Sequence, residues 1–214
     1  MYQVGIDIGS SAAKVAVIKD DEVAKTMLLD TGFSSRKVAD KIYESLASEG
    51  ITKDNAKYVA TGYGQDTKGI SLKRGRVMKF IMNDKCSAGT GKFLEVMTGR
   101  LGLTLEELSD LAREGNEISI SSMCTVFAES EVISLIGKGT PRADIAFGVI
   151  ESVINKVVAL IAQVPADKYF LTGGLCEDDY VRERLELALN APVKSTPLAR
   201  YAGAIGAAIL AAEE

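Results

Sequence analysis

Apolar residues near the start of the chain cluster in three short runs, residues 2–9, 14–18 and 23–29, broken by Gly9-Ser10-Ser11-Ala12-Ala13 and by Asp20-Asp21-Glu22. Runs of this length bounded by glycine or acidic turns predict three β-strands, the first two joined as a hairpin. The period then changes. Val38, Ile42 and Leu46 recur every four residues, which predicts a helix over 36–48 that Gly50 ends. Residues 58–62 read as a buried strand. Gly64 to Leu72 gives a second glycine turn and strand, and 77–82 a further strand leading into a cysteine-bearing corner.

Helical patterns dominate the second half. An amphipathic segment begins at Phe93, and Thr104-Leu105-Glu106-Glu107 has the form of a capping box opening a helix through Arg113. Residues 117–121 read as a short strand or an extended link. Cys124 leads into a helix ending near Gly137, and 144–164 form a long helix striped by Ile145, Val149, Val153, Val157 and Leu160. A buried strand over 169–174 ends in Gly173-Gly174, followed by a helix over 178–189, a short strand over 192–194 and a last helix over 198–212. The small residues Ala202, Gly203, Gly206 and Ala207 of that helix imply tight packing on another backbone. The mixture of strands and helices predicts an α/β protein. Its lobes are expected at 1–64, joined by the helix of 198–214, and at 65–197.

Composition narrows the chemistry. The chain has 214 residues, 47% hydrophobic and 25% charged, with a net charge of −4, which offers no general attraction for nucleic acid or acidic membranes. Apolar runs stay shorter than the ~18–20 residues of a membrane span. Met1 runs straight into a strand pattern, so a cytoplasmic protein without a signal peptide is expected. There are three cysteines and no histidine. Lack of histidine removes Ser-His-Asp and Cys-His catalysis, and any soft-metal site must rest on cysteine.

Three stretches carry candidate chemistry. The hairpin turn Ser10-Ser11-Ala12-Ala13 is small and rich in N–H and hydroxyl groups, suited to wrap a phosphate; Lys14 can pair with phosphate oxygens and Asp7 can hold hydrated magnesium. Gly64-Gln65-Asp66-Thr67-Lys68 repeats that order of small turn, acidic group and lysine, and two such hairpins suggest two related lobes around a polyphosphate. In Asn83-Asp84-Lys85-Cys86-Ser87-Ala88-Gly89-Thr90-Gly91-Lys92 a cysteine sits at a strand-to-helix corner, where free N–H groups favour a thiolate. From the residues alone, Cys86 fits a metal ligand, a nucleophile or a packed turn.

The ordered set Asp7-Ile8-Gly9-Ser10, Gly64-Gln65-Asp66-Thr67-Lys68 and Thr172-Gly173-Gly174 resembles the phosphate and adenosine motifs of the superfamily of acetate kinase, sugar kinases, heat-shock ATPases and actin. Within it, the Cys86 motif and Ser122-Met123-Cys124-Thr125-Val126-Phe127-Ala128-Glu129-Ser130-Glu131 resemble the activator ATPases of 2-hydroxyacyl-CoA dehydratases and benzoyl-CoA reductase. That resemblance implies an actin-like, ribonuclease H-like ATPase fold with a shortened first lobe. It implies a homodimer in which Cys86 and Cys124 of each subunit hold one 4Fe–4S cluster, loaded by flavodoxin or ferredoxin and discharged to a dehydratase or reductase component. It also implies an ATP/ADP and Mg2+ site. Ser10, Ser11, Ala12, Ala13 and Lys14 would hold the phosphates and Asp7 the magnesium. Gln65 and Asp66 would face the γ-phosphate and its attacking water, Gly173 and Gly174 would lie along the nucleoside, and Arg200 would contact the base or a phosphate. Cys176 matches no ligand position.

One departure stands out. In the resembling family a helix and the strand that opens the second lobe precede the second hairpin, whereas here Gly64 runs directly into Gln65. Either residues 58–62 serve as the second lobe's first strand, or the first lobe is incomplete. Two other functions are compatible with the superfamily: a small-molecule kinase, for which no substrate-binding insertion is found, and a cluster- and nucleotide-binding scaffold without turnover.

Overall fold

The computed structural model describes residues 1–32, 34–62, 67–73, 76–82, 90–121 and 124–213. Contacts divide the chain into two units: unit 1 comprises residues 1–65, 172–174 and 196–214, and unit 2 comprises 66–171 and 175–195.

Unit 1 is a mixed four-stranded sheet between helices. Strands β1 (Tyr2–Ile8), β2 (Ala12–Lys19) and β3 (Glu22–Asp30) run antiparallel in succession. Asp20 and Asp21 both take left-handed φ angles, 52° and 64°, which matches a two-residue turn to the twist of the strands it joins. Helix α1 (Ser35–Ser48) starts at Ser34, whose hydroxyl accepts from the Lys37 N–H at 3.3 Å. It returns the chain so that β4 (Ala56–Gly62) lies parallel to β1, giving the order β3-β2-β1-β4. Residues 58–62 therefore belong to the sheet of unit 1 and do not open a second sheet. They form an edge strand with Ala60 exposed, not a buried one, because among the described residues β4 has a neighbour on one side only.

Alternation sorts the sheet's two faces. Val4, Ile6, Ala13, Val15 and Val17 point toward Val38, Ile42 and Leu46 of α1 and form one buried core. Gly5, Asp7 and Lys14 belong to the opposite face, which helix α7 (Ala202–Glu213) covers after a 3₁₀ turn (Ala199–Tyr201). A Cβ on Gly5 would stand 1.8 Å from the carbonyl oxygen of Ala204, so only glycine admits the helix this close. The packed stripe of α7 is Ala204, Ala207, Ala208 and Ala211. Of the small residues expected to pack, Ala207 does; a Cβ on Gly206 would meet nothing within 4 Å, and Ala202 is exposed.

Unit 2 is built around helix α5 (Arg142–Ile161), whose Ile145, Ala146, Val149, Ile150, Val153 and Ile154 are all buried. Around it lie α2 (Thr90–Leu101), α3 (Leu105–Ala112), α4 (Thr125–Gly137) and α6 (Asp179–Leu189). The capping box forms as expected: Thr104 Oγ1 accepts from the Glu107 N–H at 3.2 Å and Glu107 accepts from the Thr104 N–H at 2.7 Å. The bond from the Thr104 N–H, with the Thr104 hydroxyl beside it, holds the Glu107 carboxyl below its ordinary range. Residues 117–121 are an extended link, with Ile118 and Ile120 lying over Gly148 of α5. The strands form two separate pairs: β5 (Thr67–Lys73) with β6 (Arg76–Met82), antiparallel, and β7 (Tyr169–Phe170) with β8 (Val193–Lys194), parallel. The buried strand expected over 169–174 is thus two residues long with Phe170 exposed, because among the described residues β7 pairs only with β8. Among the described residues no helix is long and apolar enough to cross a membrane.

Gly5→Ala is expected to destabilise unit 1 by about 3 kcal/mol, since the methyl would overlap the α7 backbone and not a movable side chain. The urea midpoint of the variant, compared with that of the parent at equal m-value, checks this.

Candidate functional site

The first hairpin ends in a tight turn. Asp7 and Lys14 are direct cross-strand partners on the face that α7 covers, so the acid and the amine project to the same side. The Gly9 N–H donates to the Ala12 carbonyl at 3.1 Å, which leaves Gly9-Ser10-Ser11 as the connection. The turn is shorter than the sequence pattern suggested: Ala12 and Ala13 already belong to β2, and Ala13 is fully buried in the sheet's core. Ala12 is half-buried, and Ser10, Ser11 and Lys14 are half-buried beside it.

Two residues whose contacts with this hairpin were not foreseen from the sequence hold its geometry. Thr31 is 8% exposed; its Oγ1 donates to the Gly9 carbonyl at 2.8 Å and its N–H donates to the Ser11 carbonyl at 3.1 Å, clamping both ends of the turn. Gly203, in the first turn of α7, lies against Asp7. A Cβ there would come within 2.8 Å of Asp7 Oδ2, so the carboxylate rests on the helix N-terminus, where backbone N–H groups favour negative charge. Neither contact has a local sequence signal, apart from the small residue at the start of the last helix.

The same unit holds the double glycine and Arg200. Gly173 has φ of 90° and donates its N–H to the Ala199 carbonyl at 3.2 Å, which fixes Gly173-Gly174 beside the 3₁₀ turn that carries Arg200. Asp7, Ser10, Ser11, Lys14, Gly173, Gly174 and Arg200 thus share one unit. Gln65 and Asp66 lie outside the described residues, as does Cys86.

Cys124 is the N-cap of α4, with extended φ and ψ of −143° and 132°, and its side chain makes no capping hydrogen bond. The thiol is half-exposed and free. Outward from it, α4 exposes the large apolar side chains Val126 (65%), Phe127 (68%), Ile133 and Ile136. The inner side of α4, Ala128 and Val132, shares the core of unit 2 with Phe93, Leu94 and Met97 of α2, and Glu129 pairs with Arg100. Glu131 accepts from the Ser121 N–H at 2.8 Å and so anchors the segment that leads to Cys124. Cys176 is 2% exposed, a core residue. Among the described residues, no group of three or more cysteines and carboxylates is gathered as a metal site.

The sequence profile of the BadF/BadG/BcrA/BcrD ATPase family matches residues 62–211. The (R)-2-hydroxyglutaryl-CoA dehydratase activating ATPase of Acidaminococcus fermentans is 36% identical over 252 aligned positions, covering 99% of this chain and 97% of that protein. The crystal structure of component A of the same dehydratase superposes with a TM-score of 0.83 at 34% identity, covering 100% of this chain and 98% of the other. An activator of lactoyl-CoA dehydratase from Anaerotignum propionicum is 35% identical over 257 positions, covering 100% and 98%. The structure of the 2-hydroxyisocaproyl-CoA dehydratase activator from Clostridium difficile, with bound ADPNP, matches with a TM-score of 0.82 at 29% identity, covering 100% and 95%. These alignments are longer than the 214-residue chain yet take in nearly all of each protein, so the relatives carry several tens of internal residues without a counterpart here. The fold is the mixed α/β ATPase fold of these activators.

Thr31→Val is expected to cost about 1–3 kcal/mol by leaving the Gly9 carbonyl without its buried donor. Chemical denaturation measures the loss, and faster amide exchange confined to the 9–13 turn would locate it.

Proposed function

Because the chain belongs to the BadF/BadG/BcrA/BcrD ATPase family, we propose that it is an ATP-dependent electron-transfer activator of a 2-hydroxyacyl-CoA dehydratase or a related acyl-CoA reductase. The observation that carries this reading is the end-to-end likeness to dehydratase activators, one of them holding an ATP analogue, in a chain whose first hairpin keeps Asp7, Ser10, Ser11 and Lys14 together.

Nucleotide binding follows from that hairpin. Lys14 neutralises phosphate charge, Ser10 and Ser11 offer hydroxyls and N–H groups, and Asp7, steadied by α7, holds the magnesium through water. Gly173 and Gly174 give a flat approach to the nucleoside beside Arg200. Gln65 and Asp66 orient the attacking water.

The thiols fit a cluster shared between two copies. A 4Fe–4S cluster takes four thiolates, and one chain has three cysteines, of which Cys176 is enclosed in the core. Two copies supply four thiols from Cys86 and Cys124, and the bare apolar face of α4 beside Cys124 supports a second copy there. When bound, the cluster supplies a low-potential one-electron carrier between a flavodoxin or ferredoxin and the acyl-CoA enzyme. The chain's part is mechanical: Cys124 caps α4, so any tilt of that helix moves the thiolate directly.

A second reading, a nucleotide- and cluster-binding scaffold without turnover, is favoured by one observation: unit 2 has no counterpart of β1 among the described residues. Anaerobic purification and reconstitution separate the two. About four irons per two chains, lost in Cys124→Ala, are expected. A colourless, iron-free monomer after reconstitution would overturn the cluster reading. In the loaded protein, Asp66→Ala is expected to lower ATP hydrolysis about a hundredfold or more while leaving the cluster intact. A loaded parent with no ATPase activity is the scaffold.

A further inference from the structure

Asp7 of β1 and Lys14 of β2 stand directly opposite each other in the antiparallel register, and both are half-buried. Opposite charges so placed attract each other across the strands. Here they do not meet: among the described residues no ion pair joins Asp7 to Lys14.

Two glycines of unit 1 explain the separation. A Cβ on Gly203 of α7 would come within 2.8 Å of Asp7 Oδ2 and 3.0 Å of its Cγ, so the carboxyl fills the space that a side chain there would claim. Lys14 Nζ lies over Gly9, 3.4 Å from where a Cβ would stand. The acid leans toward the helix and the amine toward the tip of the hairpin.

The helix has no freedom to retreat. At Gly5 a Cβ would stand 1.8 Å from the Ala204 carbonyl oxygen and 2.3 Å from the Ala208 nitrogen, so α7 is seated on β1 immediately after Gly203. A side chain at 203 would therefore be accommodated by Asp7, the movable group. Asp7 has two cross-strand neighbours, Thr61 of β4 and Lys14 of β2. Only Lys14 is charged, so a displaced carboxylate moves toward the ammonium.

We propose that Gly203 is a positioning residue of the nucleotide site. By giving the Asp7 carboxylate a place against α7, it keeps Asp7 and Lys14 from neutralising each other. The acid stays open to a divalent cation and the amine to the phosphate that the cation accompanies. The proposal rests on the reading of this hairpin as a magnesium–nucleotide site. A closed pair would have to open before magnesium and phosphate could bind, and apparent affinity falls by the fraction of molecules left open. With the pair closed about nine-tenths of the time, the loss is about tenfold.

The test compares the whole chain with Gly203→Ala and with Gly206→Ala, a control on the same helix where a Cβ would meet nothing within 4 Å. Alanine favours a helix, so both variants are expected to fold. Crystal structures without nucleotide are expected to bring Asp7 and Lys14 to within about 4 Å in Gly203→Ala alone. Titration calorimetry with ADP and MgCl2 is expected to show a loss of about tenfold in Gly203→Ala and none in Gly206→Ala. In an Asp7→Asn background, where no ion pair can form, Gly203→Ala is expected to change ADP affinity less than about twofold. Asp7 and Lys14 still apart in the Gly203→Ala crystal, or the same loss in the parent and Asp7→Asn backgrounds, overturns the proposal. A parent that binds no ADP while Gly203→Ala still closes the pair overturns the nucleotide reading and supports the separation of charges by Gly203.

Discussion

Backbone rests directly on backbone where α7 crosses β1, and the first unit depends on that contact. Gly5 leaves room for the Ala204 carbonyl, and the alanines of α7 bury their methyl groups against the sheet. A larger residue at either side would lift the helix and lose many weak contacts together. The close approach also has a chemical consequence. Asp7 is two residues beyond Gly5 on the same sheet face, so a helix held down at Gly5 brings its first turn, at Gly203, to the Asp7 carboxylate. Packing and site geometry are therefore set by one constraint, and the acid's orientation is a product of the core and not of its own loop.

The turn is held from the other side by Thr31. Glycine and serines alone would give a mobile tip, and ordering it costs entropy. Thr31 uses both its hydroxyl and its N–H to bind Gly9 and Ser11, and it sits directly after β3, so the hairpin's tip is tied to the third strand. Ser10 and Ser11 thus sit in a preformed turn.

Local signals were legible in the sequence. The stripe of Val38, Ile42 and Leu46, the Thr104–Glu107 box, the Asp20-Asp21 turn and the helix that opens at Cys124 all depend on residues within a few positions of one another. Contacts between distant segments were not legible in this way. Thr31 looks like any residue after a strand, and Gly203 like part of a small-residue stripe whose packed side proved to be Ala204, Ala207, Ala208 and Ala211. The extent of 169–174 misled for a related reason. Tyr169-Phe170-Leu171 has strand composition, but strand length is decided by neighbours, which a pattern along one segment cannot count. Cys86, Gln65 and Asp66 belong to motifs whose meaning came from resemblance.

Unit 2 tolerates a divided sheet because its core is helical. Phe93, Met97, Leu108, Val132 and the buried face of α5 enclose one another, and Val193 of β8 is buried among them. Open strand edges therefore forgo backbone hydrogen bonds, each of modest net worth in water, and leave apolar burial largely intact. The contrast between a two-residue β7 and a twenty-residue α5 follows from the same division. A helix satisfies its backbone within itself, so it persists wherever one face is buried. A strand takes its hydrogen bonds from the chains beside it, and it extends only as far as they do.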